Sequence, residues 1–209
     1  MARPRTHDID ALLDSAEQLL ADKGGSGVTI RALAAATGAS SGSLYHAFGS
    51  RADLLAHIWL RAANRFIDLQ EEEVGGLKAE RREPEDAIKA TVAVASVPAR
   101  IQAESPNTAK VLFRYRRDDI LGQEISEDLK VRLESLDDRL LAVLRGLAEA
   151  LWKRRDRPAV ETVATCVVDL PTAILINRRE RAIDPLITLE AAVRGVLQLT
   201  PPRPGSSRS

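Results

Sequence analysis

The 209-residue chain holds one cysteine, one methionine and seven aromatic side chains, and each scarcity excludes something. A lone thiol, Cys166, cannot close an intrachain disulfide or build a multi-cysteine zinc site, which fits a reducing cytoplasm. Lysine and arginine number 30, as do aspartate and glutamate, so the net charge is zero and a strongly basic, nonspecific polyanion binder is excluded. The opening residues, MARPRTHDID, have no apolar centre and soon turn acidic, so no secretory signal is expected. No stretch reaches the roughly 18 consecutive apolar residues of a membrane span, and no membrane partner is expected. Period-two alternation of β-branched and aromatic residues is also missing, which argues against a sheet. What remains is 44% hydrophobic and 29% charged, the balance of a folded globular chain long enough to bury a substantial core.

Apolar positions repeat with helical spacing almost throughout, which predicts an all-α fold of about nine helices. Several starts pair a capping residue with proline at the first helical position: Ser105-Pro106, Asp184-Pro185, and less cleanly Glu83-Pro84 and Arg157-Pro158. Helices are expected over 86–102, where Pro98 should kink or end the run, and over 106–117. A longer one follows from Ser126 to about Arg155, with Leu129, Leu133, Leu136, Leu140, Leu144 and Leu147 along one side. The helix over 160–177 is interrupted by Pro171 and apolar on more than one face, so it needs two partners. The last helix makes the same demand with Leu186, Leu189, Val193, Val196 and Leu197. Residues 201–209, PPRPGSSRS, are expected to form a disordered tail.

The informative region runs from Asp8 to Leu55. Ile9, Leu12, Leu13, Ala16, Leu19 and Leu20 form one stripe, with Asp8 and Asp10 in the first turn and Gly24-Gly25 ending the helix. Thr29 can cap a short helix over 30–36, Thr37-Gly38-Ala39 makes a tight turn, and Ser40 can cap the next helix. That is a helix-turn-helix. Ile30, Leu33 and Ala34 face inward on its first helix and Leu44 and Phe48 on its second, which leaves Ser41, Gly42, Ser43, Tyr45 and His46 outside. Ser50-Arg51-Ala52-Asp53 reads as a capping box starting a long helix to about Glu72.

The run GVTIRALAAATGASSGSLYHAFGSRADLL, from Gly27 to Leu55, resembles the DNA-binding signature of the TetR family of transcriptional regulators. The likeness rests on the threonine before the second helix, the A-x-x-x-G turn, the glycine-containing start of the third helix, the Tyr-x-x-Phe pair and the F-x-S-(Lys/Arg)-x-x-L entry to the fourth. The region from Asp8 to Leu55 that holds it covers about a quarter of the chain, and Arg51 stands where the family usually has lysine, keeping the charge with a different fork of donors. The resemblance implies a helix-turn-helix DNA-binding domain over 1–50, a larger helical domain for ligand binding and dimerisation over 51–200, and the tail beyond. It implies a homodimer on a palindromic double-stranded operator, most simply a repressor released by a small-molecule effector, with no cofactor.

Residues 1–50 carry a formal balance of −1, with no charged residue between Ala32 and Ser50, so DNA binding has to rest on helix geometry and hydroxyl contacts. The expected contacts are Thr29, Ser40, Ser41, Gly42, Ser43, Tyr45, His46 and Arg51, with Arg3 and Arg5 as an arm along the backbone or in the minor groove. Trp59, Phe66, Val97, Ile101, Phe113, Tyr115, Trp152 and Leu175 are the candidates to line an effector pocket. Val163, Val167, Ile174, Leu186, Leu189, Val193 and Leu197 are the candidates for the dimer interface. The fourth helix, running past Trp59 to Phe66, is the expected lever between effector and recognition helix.

The competing reading is an all-α enzyme or small-molecule-binding module that does not act on DNA. Gly38-Ala39-Ser40-Ser41-Gly42 matches the G-x-S-x-G nucleophile elbow, but an elbow needs a preceding strand and 32–36 is alanine-rich helix. His7, His46 and His57 are the only histidines. Asp53 and His57, four apart, offer two groups where a metal site needs more, so neither catalytic nor metal residues are assigned. Cys166, within VATCVV, is expected to be a buried small hydrophobe.

Overall fold

The computed structural model describes residues 9–78, 83–117, 124–177 and 183–202. Among them are nine helices and no strand: α1 Ile9–Lys23, α2 Ile30–Thr37, α3 Ser41–Phe48, α4 Arg51–Gly75, α5 Pro84–Glu104, α6 Pro106–Arg114, α7 Glu127–Trp152, α8 from Arg157–Ala164 onward, and α9 Pro185–Leu197. The all-α expectation holds. Asp8, the arm residues Arg3 and Arg5, and tail residues 203–209 lie outside the described residues.

The chain forms two compact units, one from the described residues of Met1–Asn64 and Glu104–Ser135, the other from those of Arg65–Ala103 and Leu136–Ser209. In the first unit Leu12, Leu13, Ala16 and Leu20 of α1 are buried, as are Ile30 and Leu33 of α2 and Leu44 and Phe48 of α3. Each such large aliphatic side chain contributes about 1.5–3 kcal/mol on leaving water. The unit also takes in α6, because α6 lies directly against α1.

In the second unit the core is built from Val94 and Ala95 of α5, Val143, Leu144, Leu147 and Ala148 of α7, Val163, Cys166 and Val167 of α8, and Leu189 and Val193 of α9. Pro98 does not end α5, which continues to Glu104. The missing N–H removes a single helical bond, and burial of the ring holds the segment in place. Pro171 has the larger effect. It lies between two π-helical turns, Thr165–Asp169 and Thr172–Ile176, in which Leu170 N–H bonds to Thr165 O and Asn177 N–H to Thr172 O, five residues back. The run Arg157–Ile176 is long and apolar enough to cross a membrane by composition alone. Its Ala159, Val163, Cys166 and Val167 are buried within the unit, as in a core helix.

At the end of the described chain Arg154 pairs with Asp156 at 2.7 Å and donates to the carbonyls of Pro201 and Pro202 at 2.8 and 2.7 Å. The first two residues of the expected tail are therefore held.

Candidate nucleic-acid interface

The helix pair α2–α3 is set by its caps. Thr29 Oγ1 accepts from Ala32 N–H at 3.0 Å and Ser40 Oγ from Ser43 N–H at 3.1 Å, so each helix starts where its hydroxyl residue predicts. Between them Gly38 adopts φ 71°, ψ 6°, the left-handed conformation that closes α2 and that a side chain would strain. Thr37 Oγ1 donates to Leu33 O at 2.8 Å and Ala39 is buried, which fixes the turn from inside.

With Leu44 and Phe48 buried, α3 turns Ser41, Gly42, Ser43, Tyr45 and His46 outward; Tyr45 is 57% exposed. Ser40 and Ser43 are partly committed, since Ser43 Oγ donates to Ser40 O at 2.8 Å. Ser41, Gly42, Tyr45 and His46 present the outward surface of a short helix with no charged side chain, one that can approach a groove closely.

Arg51, an expected phosphate contact, is exposed and also has partners within the chain. Its Nε donates to Val28 O at 2.8 Å and its guanidinium also donates to Gly25 O, tying the start of α4 to the Gly25–Gly27 turn before α2. The expected capping box is half formed: Asp53 N–H bonds to Ser50 Oγ at 2.9 Å, but the Asp53 carboxylate accepts from Ser126 N–H at 2.7 Å. Arg31, which the sequence reading did not single out, stands exposed in the first turn of α2 with no ion pair among the described residues. It is the sole charged residue from Gly24 to Ser50, and that isolation in the sequence was the available signal.

His57 packs edge-on against Phe48, ring centroids 5.6 Å apart. Burial, followed by the charge of Arg132, holds its pKa below the ordinary value, while Asp53 and Asp128 pull the other way. Cys166 is fully buried, and burial pushes its thiol up to about 12, far from a reactive thiolate.

The effector candidates fall in both units. In the first, Trp59 Nε1 donates to Tyr115 O at 3.0 Å and Phe113 is half-buried. In the second, Val97, Ile101 and Leu175 are buried, and Phe66 and Trp152 half-buried. A pocket of about 730 Å³ in the second unit opens between Pro158, Thr162 and Thr165 of α8 and Val196, Leu199 and Pro201; none of the eight candidates lines it.

Of the dimer candidates, Val163, Val167, Ile174, Leu189 and Val193 are buried in the second unit's core, Leu197 packs against that core, and Leu186 is 45% exposed. Val168, Ile183 and Ile187 are also exposed in the second unit and were not among the candidates, because apolar periodicity does not say which of two faces turns inward.

Residues 12–58 match the family of bacterial regulatory proteins, tetR family. A comparison with curated proteins finds no match. Among solved structures, the chain is similar to the TetR family regulator PfmR from Thermus thermophilus, with a TM-score of 0.60 and 19% identity over 90% of this chain and 97% of that one. It is similar to the regulator FadR from Bacillus subtilis, solved with stearoyl-CoA, at 0.62 and 18% over 91% and 97%. It is similar to a TetR regulator from Agrobacterium tumefaciens at 0.61 and 22% over 90% and 92%. Residues 12–58 thus carry the helix-turn-helix of the tetR family of bacterial regulatory proteins, and the fold built around them is TetR-like.

Proposed function

We propose that the chain is a homodimeric, sequence-specific regulator of transcription that docks α3 in the major groove of a palindromic operator and is released by a small-molecule effector, acting in the cytoplasm as a repressor. The observation that carries this reading is α3 itself, whose exposed face gathers Ser41, Gly42, Tyr45 and His46 beside the capped turn. Arg31, the N-terminus of α2 and the Tyr45 hydroxyl supply phosphate contacts, and Ser41 and His46 face the bases. The exposure of the apolar side chains Leu186 and Ile187 on α9 supports pairing of subunits. Stearoyl-CoA bound in FadR supports a small-molecule effector for a fold of this kind. The unbroken run of α4 from Arg51 to Gly75 supports its role as lever.

The test is fluorescence anisotropy with labelled duplex DNA. Tyr45→Phe should weaken binding to every sequence by about tenfold, the worth of one hydrogen bond to a charged oxygen. Ser41→Ala should change which sequences are preferred. Wild-type affinity in both variants on all duplexes would refute the docking.

A further inference from the structure

Three buried polar or charged side chains stand out among the described residues: Glu17, Gln70 and Thr91. Thr91 Oγ1 donates to Ala87 O at 2.8 Å, and the Glu17 carboxylate accepts from Arg61 and Thr108. Gln70 differs. It is 1% exposed, and its Oε1 has no hydrogen-bond partner among the described residues. A buried carbonyl without a donor costs its full desolvation penalty, which makes Oε1 a candidate acceptor for a donor from outside the chain.

Helix geometry says where Gln70 points. Glu73 reaches α5, pairing with Arg100 at 3.2 Å. Glu71 reaches α7, pairing with Arg139 at 2.6 Å, and Val74 packs so close to Gly146 of α7 that a Cβ there would lie 3.1 Å from it. At about 100° per residue, Gln70 lies between the α5-facing direction of Glu73 and the α7-facing direction of Val74. It is therefore directed between α5 and α7, into the interior to which Val94, Val143, Leu144 and Leu147 contribute.

We propose that the Gln70 carboxamide is the polar contact for the effector, and that the effector is a neutral, mainly apolar molecule bringing one hydroxyl or N–H donor to Oε1. This rests on the effector-released reading above. Neutrality follows from the surroundings: the nearby carboxylates Glu71 and Glu73 are already paired with Arg139 and Arg100, so an ion entering this apolar interior finds no free countercharge among them.

The test uses the full chain and a matched pair of probes, 1-naphthol and 1-methoxynaphthalene, which share a ring system and differ in the donor. By calorimetric titration, 1-naphthol should bind the wild type about tenfold more tightly than it binds Gln70→Leu, equivalent to about 1.4 kcal/mol, while the methyl ether binds both alike. Gln70→Met, unbranched and of similar length, should behave as Gln70→Leu does. The melting temperature of at least one of the two variants should equal or exceed that of the wild type, because each removes an unpaired carbonyl. Equal 1-naphthol affinity across the proteins, no binding by the wild type, or lowered melting temperatures in both variants, which would reveal a structural partner such as a buried water, would each overturn the proposal. Duplex release is read separately: Gln70-dependent binding of 1-naphthol that leaves the protein on DNA would keep the site and refute the effector-released reading.

Discussion

Arg51 and Arg31 show how an arginine's role follows from what its guanidinium touches. Arg51 donates to Val28 O and Gly25 O and so fixes the turn that aims α2, whereas Arg31 stands exposed at the start of that helix with no ion pair among the described residues. Arg51→Ala should therefore lower stability by about 1–3 kcal/mol in urea unfolding while leaving the salt dependence of DNA binding nearly unchanged. Arg31→Ala should do the reverse, with wild-type stability and a log–log salt slope shallower by about 0.9 per subunit. His57 gives a pH signature. Its folded pKa lies below the ordinary 6.5, so the unfolded chain takes up its proton first. Its contribution to stability is complete above the unfolded value and is lost as pH falls through it toward the folded value. Thermal melts from about pH 7 to about pH 5 should show a smaller drop in melting temperature for His57→Asn than for the wild type. A drop of equal size would remove His57 as the source.

The tie between α1 and α6 is the least expected feature among the elements. Glu17, 6% exposed, accepts from Arg61 of α4 at 2.7 Å and from Thr108 of α6, while Asn107 Nδ2 donates to Gln18 and Tyr115 OH to Leu20 O at 3.4 Å. Thr108→Val removes one partner of the carboxylate and should cost about 1 kcal/mol. Arg61→Met leaves the buried charge without its cation and should cost about 3 kcal/mol or more, read by the same unfolding titration. None of this was legible in the sequence, because Glu17 reads there as one more exposed carboxylate on the polar side of an amphipathic helix. The helix-turn-helix was legible, because Thr29, Gly38, Ser40 and Ser50 act on backbone within three or four residues of themselves. Pro98 and Pro171 read alike in the sequence and behave differently. Both rings are buried, yet Pro98 leaves its helix continuous to Glu104 whereas Pro171 stands between two π-helical turns.

For the whole molecule the question is which apolar face the chain keeps for itself. Leu189 and Val193 are wholly buried in the second unit, whereas Leu186 and Ile187, on the same helix, are 45% and 64% exposed. A charge at Leu189 should unfold the unit. Ile187→Asp should leave a folded chain that sediments as a monomer and binds DNA weakly, because each subunit then reaches one half-site alone. A folded Ile187→Asp dimer would move the interface elsewhere. Two copies of α3 reading DNA together would leave their signature in the sites that the full chain selects from random-sequence duplex. Selection should enrich a two-fold symmetric sequence whose half-sites lie about one helical turn, 34–36 Å, apart, with Ser41→Ala enriching a different sequence of the same symmetry. Recovery of sequences without symmetry or preference, or the same site from both proteins, would contradict it.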